Sequence, residues 1–151
     1  MTASRSPLPL YLGLPMWANQ DWQGSLYPRQ AKTDLLSDYA AVFSSVEGNT
    51  TFYSGAPKPD TIAAWARQAP AHFRFCFKLP ASVTHDQRLG SLASAWEFIE
   101  ALTPLHDRLG LTMVQLPRDF GPAELPKLEA LLAHWPAHLP CAVEGRHPVF
   151  F

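Results

Sequence analysis

Phe73-Arg74-Phe75-Cys76-Phe77-Lys78-Leu79-Pro80 places a large apolar side chain at every second position and closes on a proline. Alternation of period two belongs to a β-strand, whose successive side chains leave opposite faces of the sheet. Phe73, Phe75 and Phe77 therefore share one face and call for a covering layer of helices, while Cys76 and Lys78 occupy the other. Lys78 is the last strand residue before Leu79-Pro80, and a proline cannot donate to a ladder, so the pairing stops there.

Similar apolar runs lie on either side: Leu8 to Leu14, Ala41 to Glu47, Leu109 to Leu116 and Pro140 to Glu144. Helix-period segments separate them. The first carries Leu35, Leu36, Tyr39 and Ala40; the second is Asp60 to Gln68, with Asp60 as expected N-cap and Pro70 as stop. The third carries Leu92, Ala95, Trp96, Ile99 and Leu102, with Gly110 expected to close a short continuation from Pro104 to Leu109. The fourth starts near Leu125, buries a stripe of Leu128, Leu131, Leu132 and Trp135, and ends at Pro136. Strands that recur about every thirty residues with helices between them are the pattern of a (β/α) barrel. A doubly wound open sheet is disfavoured, because no G-x-G-x-x-G turn follows an early strand. The expected fold is α/β of the TIM-barrel type with about five parallel strands, a partial barrel.

Composition agrees with a packed domain and excludes several function classes. The chain has 151 residues, 47% hydrophobic and 17% charged, which suits one domain with a real core and not a disordered arm. Its formal net charge of -1 gives no basic excess of the kind a phosphate-backbone binder needs, so nucleic acid is not indicated by charge. Two cysteines make no disulfide framework; they fall on strands with opposite inferred facing and read as packed thiols. With no secretory leader and no membrane-length apolar run, a reducing cytoplasmic location is expected.

Strand parity also assembles a candidate site. Glu47 and Asn49 lie opposite Val46; Gln115 shares the face of Met113, away from Thr112 and Val114; Glu144 and Arg146 lie opposite Val143. With Lys78, four successive strands finish in polar groups on one inferred face, and the C-terminal mouth is where barrel enzymes carry their sites. Charges there cost desolvation energy unless paired or used. A ligand or catalytic site is favoured over a layer in which Glu47, Lys78, Glu144 and Arg146 merely neutralise one another. His85 and His147 follow the third and fifth strands and reach the same mouth, where an imidazole can move protons near neutral pH. Trp17 and Trp22, after the first strand, are candidates for an aromatic wall. His72, His106, His134 and His138 read as ordinary helix-end or loop residues. No H-x-x-x-H or C-x-x-C spacing occurs, so neither a metal nor a cofactor is expected.

The same residues carry a resemblance. Gly13-Leu14-Pro15-Met16-Trp17, Val46-Glu47-Gly48-Asn49-Thr50-Thr51-Phe52-Tyr53, Phe73 to Pro80, Gln115-Leu116-Pro117, Phe120-Gly121-Pro122 and Val143-Glu144-Gly145-Arg146-His147-Pro148 resemble, in order and spacing, the YecE proteins. These are a family of unknown function with a TIM-barrel fold. The resemblance runs from about residue 9 to the last residue, with Gly145 a minor departure where family members commonly carry a small apolar or aromatic residue. It implies a barrel longer than this chain, so residues 1–151 are expected to form one barrel domain truncated after the fifth strand. An open half-barrel should self-associate or be completed by further sequence.

The expected function is that of a barrel enzyme, hydrolase or isomerase, on a small anionic or polyhydroxylated substrate. Glu47, Lys78 and Glu144 are the catalytic candidates; Trp17, Asn49, His85, Gln115, Arg146 and His147 are the substrate-binding ones. A non-catalytic module that binds a phosphate, a nucleotide or a nucleic-acid end is the alternative.

Overall fold

The computed structural model describes residues 10–29 and 34–151. Four strands, β1 (Ser45–Gly48), β2 (Arg74–Lys78), β3 (Leu109–Gln115) and β4 (Cys141–Glu144), pair in the order β1-β2-β3-β4. Every pairing is parallel, with Glu47 beside Cys76, Lys78 beside Met113 and Gln115 beside Glu144. Helix α1 (Leu35–Ala40) precedes β1. The crossovers carry α2 (Thr50–Ser54) and α3 (Pro59–Gln68), then α4 (Leu92–Leu102) with a 3-10 extension from Thr103 to Arg108, and finally α5 (Leu125–Ala133). Among the described residues no helix is long and apolar enough to cross a membrane.

The alternation in β2 produces two unlike faces. Phe73, Phe75 and Phe77 are fully buried under the helices. The Phe75 and Phe77 rings stack 6.0 Å apart, with Trp65 of α3 lying parallel over both at 6.1 and 6.0 Å. Phe98 of α4 meets Phe77 edge-on. Burying an aromatic side chain of this size contributes about 1.5–3 kcal/mol, so this seam anchors the helical layer to the sheet. Gly48 of β1 lies where a Cβ would collide with the Phe77 ring, which is why the strand that carries Glu47 continues into glycine.

The expected first strand is not one. Leu8 and Pro9 lie outside the described residues, and residues 10–14 run alongside β1 without joining its ladder. Half of a parallel ladder is present, since the Leu12 carbonyl accepts from Ser45 N–H at 3.0 Å and the Leu14 carbonyl from Glu47 N–H at 3.1 Å. The other half is diverted. Leu12 N–H donates to Ser44 Oγ, and Leu14 N–H donates to the Tyr39 hydroxyl, which in turn donates to the Ser45 carbonyl at 3.0 Å. A buried tyrosine from α1 is thus wedged between two backbones that would otherwise pair directly.

Three smaller expectations change. Lys58, not Asp60, is the N-cap of α3, and Pro59 takes the first helical position, where its missing N–H costs nothing. Gly110 is inside β3 rather than closing a helix, because the 3-10 extension stops at Arg108 and the strand begins at once. Leu132, expected in the buried stripe, is 40% exposed, as is Val143 of β4, the last strand in the sheet order.

Candidate functional site

The helix-free face of the sheet ends, at the C-terminal tips of the strands, in the polar cluster expected from parity. Lys78 Nζ lies 2.9 Å from Glu47 Oε1, bridging the neighbouring strands β1 and β2. Gln115 Nε2 donates to Glu144 Oε2 at 2.7 Å across β3 and β4, and Arg146 Nε lies 3.5 Å from Glu144 Oε1. Glu47, Lys78, Gln115, Glu144 and Arg146 are therefore brought together in two neighbouring groups. Their ionised side chains keep between 17% (Lys78) and 41% (Glu144) of their surface in solvent. Ion pairs this wet hold the geometry but contribute little to stability, on the order of 1 kcal/mol or less each.

Below the cluster the open face continues into a hollow of about 330 Å³ lined by Tyr11, Gly13, Glu47, Cys76, Leu111 and Met113. Burial pushes the Cys76 thiol up, the Leu111 backbone opposes this, and Glu47 adds to it, so Cys76 stays a thiol and not a nucleophilic thiolate at neutral pH. Both cysteines are free, as expected. A larger hollow, about 640 Å³, opens at the opposite end between Arg74, Thr103, Asp107 and His138. There Arg74 Nη1 is already committed to the Ala71 and Phe73 carbonyls, which leaves the C-terminal mouth with the better set of available polar groups.

The loop residues divide. His85 hydrogen-bonds through Nδ1 to Thr84 Oγ1 at 2.9 Å, and its ring meets Phe52 of α2 edge-on at 5.4 Å. Phe52 in turn lies 6.0 Å from Lys78 Nζ, so His85 and Lys78 share an aromatic wall at the mouth. His147 instead accepts the Val149 N–H through Nδ1 and caps the short 3-10 turn Pro148–Phe150, a structural duty. Asn49 opens α2 with no capping hydrogen bond from its side chain. Trp17 sends its ring into the core against Trp65 and Phe75, and borders a hollow of about 200 Å³ with Met16, Asn49 and Thr50. Trp22 packs on Tyr27. Among the described residues no three His, Cys, Asp or Glu side chains form a metal-ligand set.

Sequence reading missed a clamp beside His85. Arg88 Nε donates to Glu124 Oε1 at 2.9 Å, Nη2 reaches Glu124 Oε2, and Nη1 donates to Asp119 at 3.0 Å. The guanidinium holds the Glu124 carboxyl down at about 2, against 4.5 for an ordinary glutamate, and lowers Asp119 as well. Phe120, between these acids, is buried and takes the Arg88 guanidinium over its ring at 5.8 Å. The Phe120-Gly121-Pro122 motif was visible in the sequence, but no spacing rule ties it to Arg88.

The family model described as "Protein of unknown function DUF72" matches residues 11–151. The chain belongs to the DUF72 family. It is 41% identical over 143 residues to the UPF0759 protein YecE of Escherichia coli K12, a match covering 94% of this chain and 50% of that protein. The E. coli O157:H7 protein of the same name matches equally. The crystal structure of a DUF72 family protein from Thermotoga maritima superposes with a TM-score of 0.73 at 33% identity, over 91% of this chain and 55% of that one. A DUF72 family protein from Enterococcus faecalis gives 0.71 at 26% identity, over 89% and 50%. The chain thus spans about half the length of the curated relatives it matches, and the YecE resemblance read from its motifs is confirmed.

Proposed function

We propose that the four strands are part of a (β/α) TIM-type barrel whose mouth binds a small anionic or polyhydroxylated molecule and acts on it as a hydrolase or isomerase. The observation that carries this reading is the convergence of Glu47, Lys78, Gln115, Glu144 and Arg146 at four adjacent strand ends, paired yet wet. Ion pairs this exposed add little to stability, so the fold alone gains little from gathering them at one end of the sheet.

The cluster carries two acids and two bases and is balanced, so a neutral, hydroxyl-rich ligand enters without a charge penalty. An anionic group on the ligand is suited to Arg146, whose contact to Glu144 is the long one and uses Nε, leaving the Nη edge for a forked contact. A ligand oxygen that draws Lys78 Nζ from Glu47 frees that carboxylate as a base, while Glu144, held by Gln115, serves as the second acid-base group. Asn49 orients polar groups from the end of β1.

The second reading is non-catalytic binding of a phosphate, a nucleotide or a nucleic-acid end. The apolar hollow beside Trp17 and Asn49, with Tyr53 79% exposed nearby on α2, favours it as a stacking surface. Phosphatase, esterase and glycosidase substrates run beside a thermal-shift ligand screen separate the two. Turnover lost in Glu47→Gln supports the enzyme; melting shifts without turnover support the binding module; neither result in the intact protein removes both. Calorimetry with inorganic phosphate should show binding that Arg146→Ala abolishes.

The open sheet face is proposed to be closed by further barrel sequence or by a second copy, in a cytoplasmic setting. Parallel sheets are normally covered on both faces, yet here the helices lie on one. Light scattering on the eluting 151-residue chain should show a dimer or larger species. A monomer with a cooperative melt would sink this proposal.

A further inference from the structure

Beyond β2 the backbone takes an uncommon path. Ser82–Asp86 make a single π-helical turn, closed by Gln87 N–H donating to the Ser82 carbonyl at 3.0 Å. Arg88 and Leu89 follow with φ of 49° and 56°, the two left-handed non-glycine residues among those described. Strain of this kind persists only where the surroundings over-determine it, and π-turns recur at functional sites. Here the surroundings do so twice: Leu89 is buried with its N–H on the Val83 carbonyl, and Arg88 is forked onto Glu124 and Asp119.

What this strained turn holds in place is His85. The Thr84 side chain is wholly buried, and its hydroxyl has two neighbours, the Pro80 carbonyl at 3.2 Å and His85 Nδ1 at 2.9 Å. A carbonyl only accepts. If the single Thr84 proton went to Nδ1, two oxygen lone pairs would face each other across the Pro80 contact. The consistent chain runs Nδ1–H to Thr84 Oγ1, and Thr84 O–H to the Pro80 carbonyl, which assigns the lone pair to His85 Nε2.

We propose that His85 is the proton-transfer residue of the mouth, with Nε2 as its working atom. The proposal rests on the mouth being a ligand site. A hydroxyl or acidic C–H of the bound substrate gives its proton to Nε2, leaving its electron pair on the substrate, and the imidazolium returns the proton when the reaction closes. Nδ1 keeps its hydrogen bond to Thr84 in both forms, so the ring need not turn over between the two steps. No oxidant or further reactant is required.

The surroundings suit a base at neutral pH. Burial and the cations Arg146, beyond β4, and Arg88, on the same loop, hold the imidazole below the ordinary histidine value, while Asp86 and Asp119 oppose them. A neutral orienting hydroxyl, unlike a carboxylate, does not draw the proton back onto the ring.

Long-range proton–nitrogen spectra of the histidine-labelled chain test the assignment without any substrate. We expect His85 in the Nδ1–H form, titrating below free histidine, with Thr84→Val releasing the tautomer; an Nε2–H ring or a raised pKa overturns it. With whichever substrate the panel identifies, His85→Gln should lower kcat on the order of 100-fold or more with KM little changed. It should also erase the acid limb of the pH profile, while His134→Gln leaves both alone. If His85→Gln retains turnover that Glu47→Gln loses, the proposal fails and the mouth reading stands. If the wild type neither turns over nor binds anything, the mouth reading fails, whatever the tautomer.

Discussion

The two faces of β2 meet different surroundings, one dry and aromatic and the other polar and partly exposed. One carries Phe75 and Phe77, wholly buried and stacked under Trp65, with Phe73 buried just before the strand; the other carries Lys78 paired with Glu47 at a partly exposed strand end, and Cys76 at the edge of a hollow. Five residues of strand thus serve two demands. The aromatic face supplies stability through dry contact area, and the polar face carries groups whose mutual contacts stabilise little and are therefore available to exchange partners with a ligand.

The largest effect expected from breaking this contrast is at the aromatic face. Phe75→Ala removes a ring in contact with Trp17, Trp65, Phe73 and Phe77 and should cost about 3–5 kcal/mol in urea unfolding. A loss below about 1 kcal/mol would mean that the layer is not the source of the fold's stability.

The clamp at Arg88 comes next, and its contribution is lost in acid. Glu124 is depressed to about 2 from 4.5, first by its hydrogen bonds to Arg88. A lowered carboxyl contributes stability in full above its unfolded value, and that contribution fades as pH falls from about 4.5 through about 2. Melting temperatures of the wild type should drop across that interval. Arg88→Gln should be less stable at pH 6 and should lose much of this acid dependence; parallel curves for the two proteins would remove the clamp from the account of the loop.

How far the sequence could be read follows the same division. Local period exposed β2, and parity alone brought Glu47, Lys78, Gln115, Glu144 and Arg146 to one face, because a strand's alternation is strictly local. The barrel spacing also read correctly as parallel strands with intervening helices. What stayed hidden depends on contacts between distant residues. Tyr39 looked like one member of a helical stripe, yet its hydroxyl separates residues 12–14 from β1. Arg88 reaches acids 31 and 36 positions away, and no pattern announces such a pair. The fate of Gly110 turned on a 3-10 extension whose end no residue marks.

A third, smaller effect should have the opposite sign. Thr112 is fully buried on the helix-facing side of β3, and among the described residues its hydroxyl is the buried side-chain polar atom that finds no partner. An unpaired buried hydroxyl carries its desolvation cost without return. Thr112→Val keeps the shape and should raise stability by about 1 kcal/mol in the same urea measurement. A loss would place an unseen partner, such as a trapped water, at that hydroxyl.

The smallest effect on stability is expected at the mouth, and it is the one that separates its two readings. Glu144 accepts from Gln115 at 2.7 Å and faces Arg146 at 3.5 Å, with 41% of its side chain in water. Glu144→Gln keeps the shape and one acceptor oxygen while removing the charge, and Arg146, itself 30% exposed, stays hydrated rather than stranded. Unfolding free energy should then change by less than about 1 kcal/mol. A fall of about 3–5 kcal/mol is what a buried charge left without its partner produces; that result would turn the cluster into a structural layer and make both faces of β2 serve the same end. A near-silent substitution that abolishes turnover or a ligand-induced melting shift would instead show that Glu144 is retained for what it does to a bound molecule, since the fold gains almost nothing from its charge.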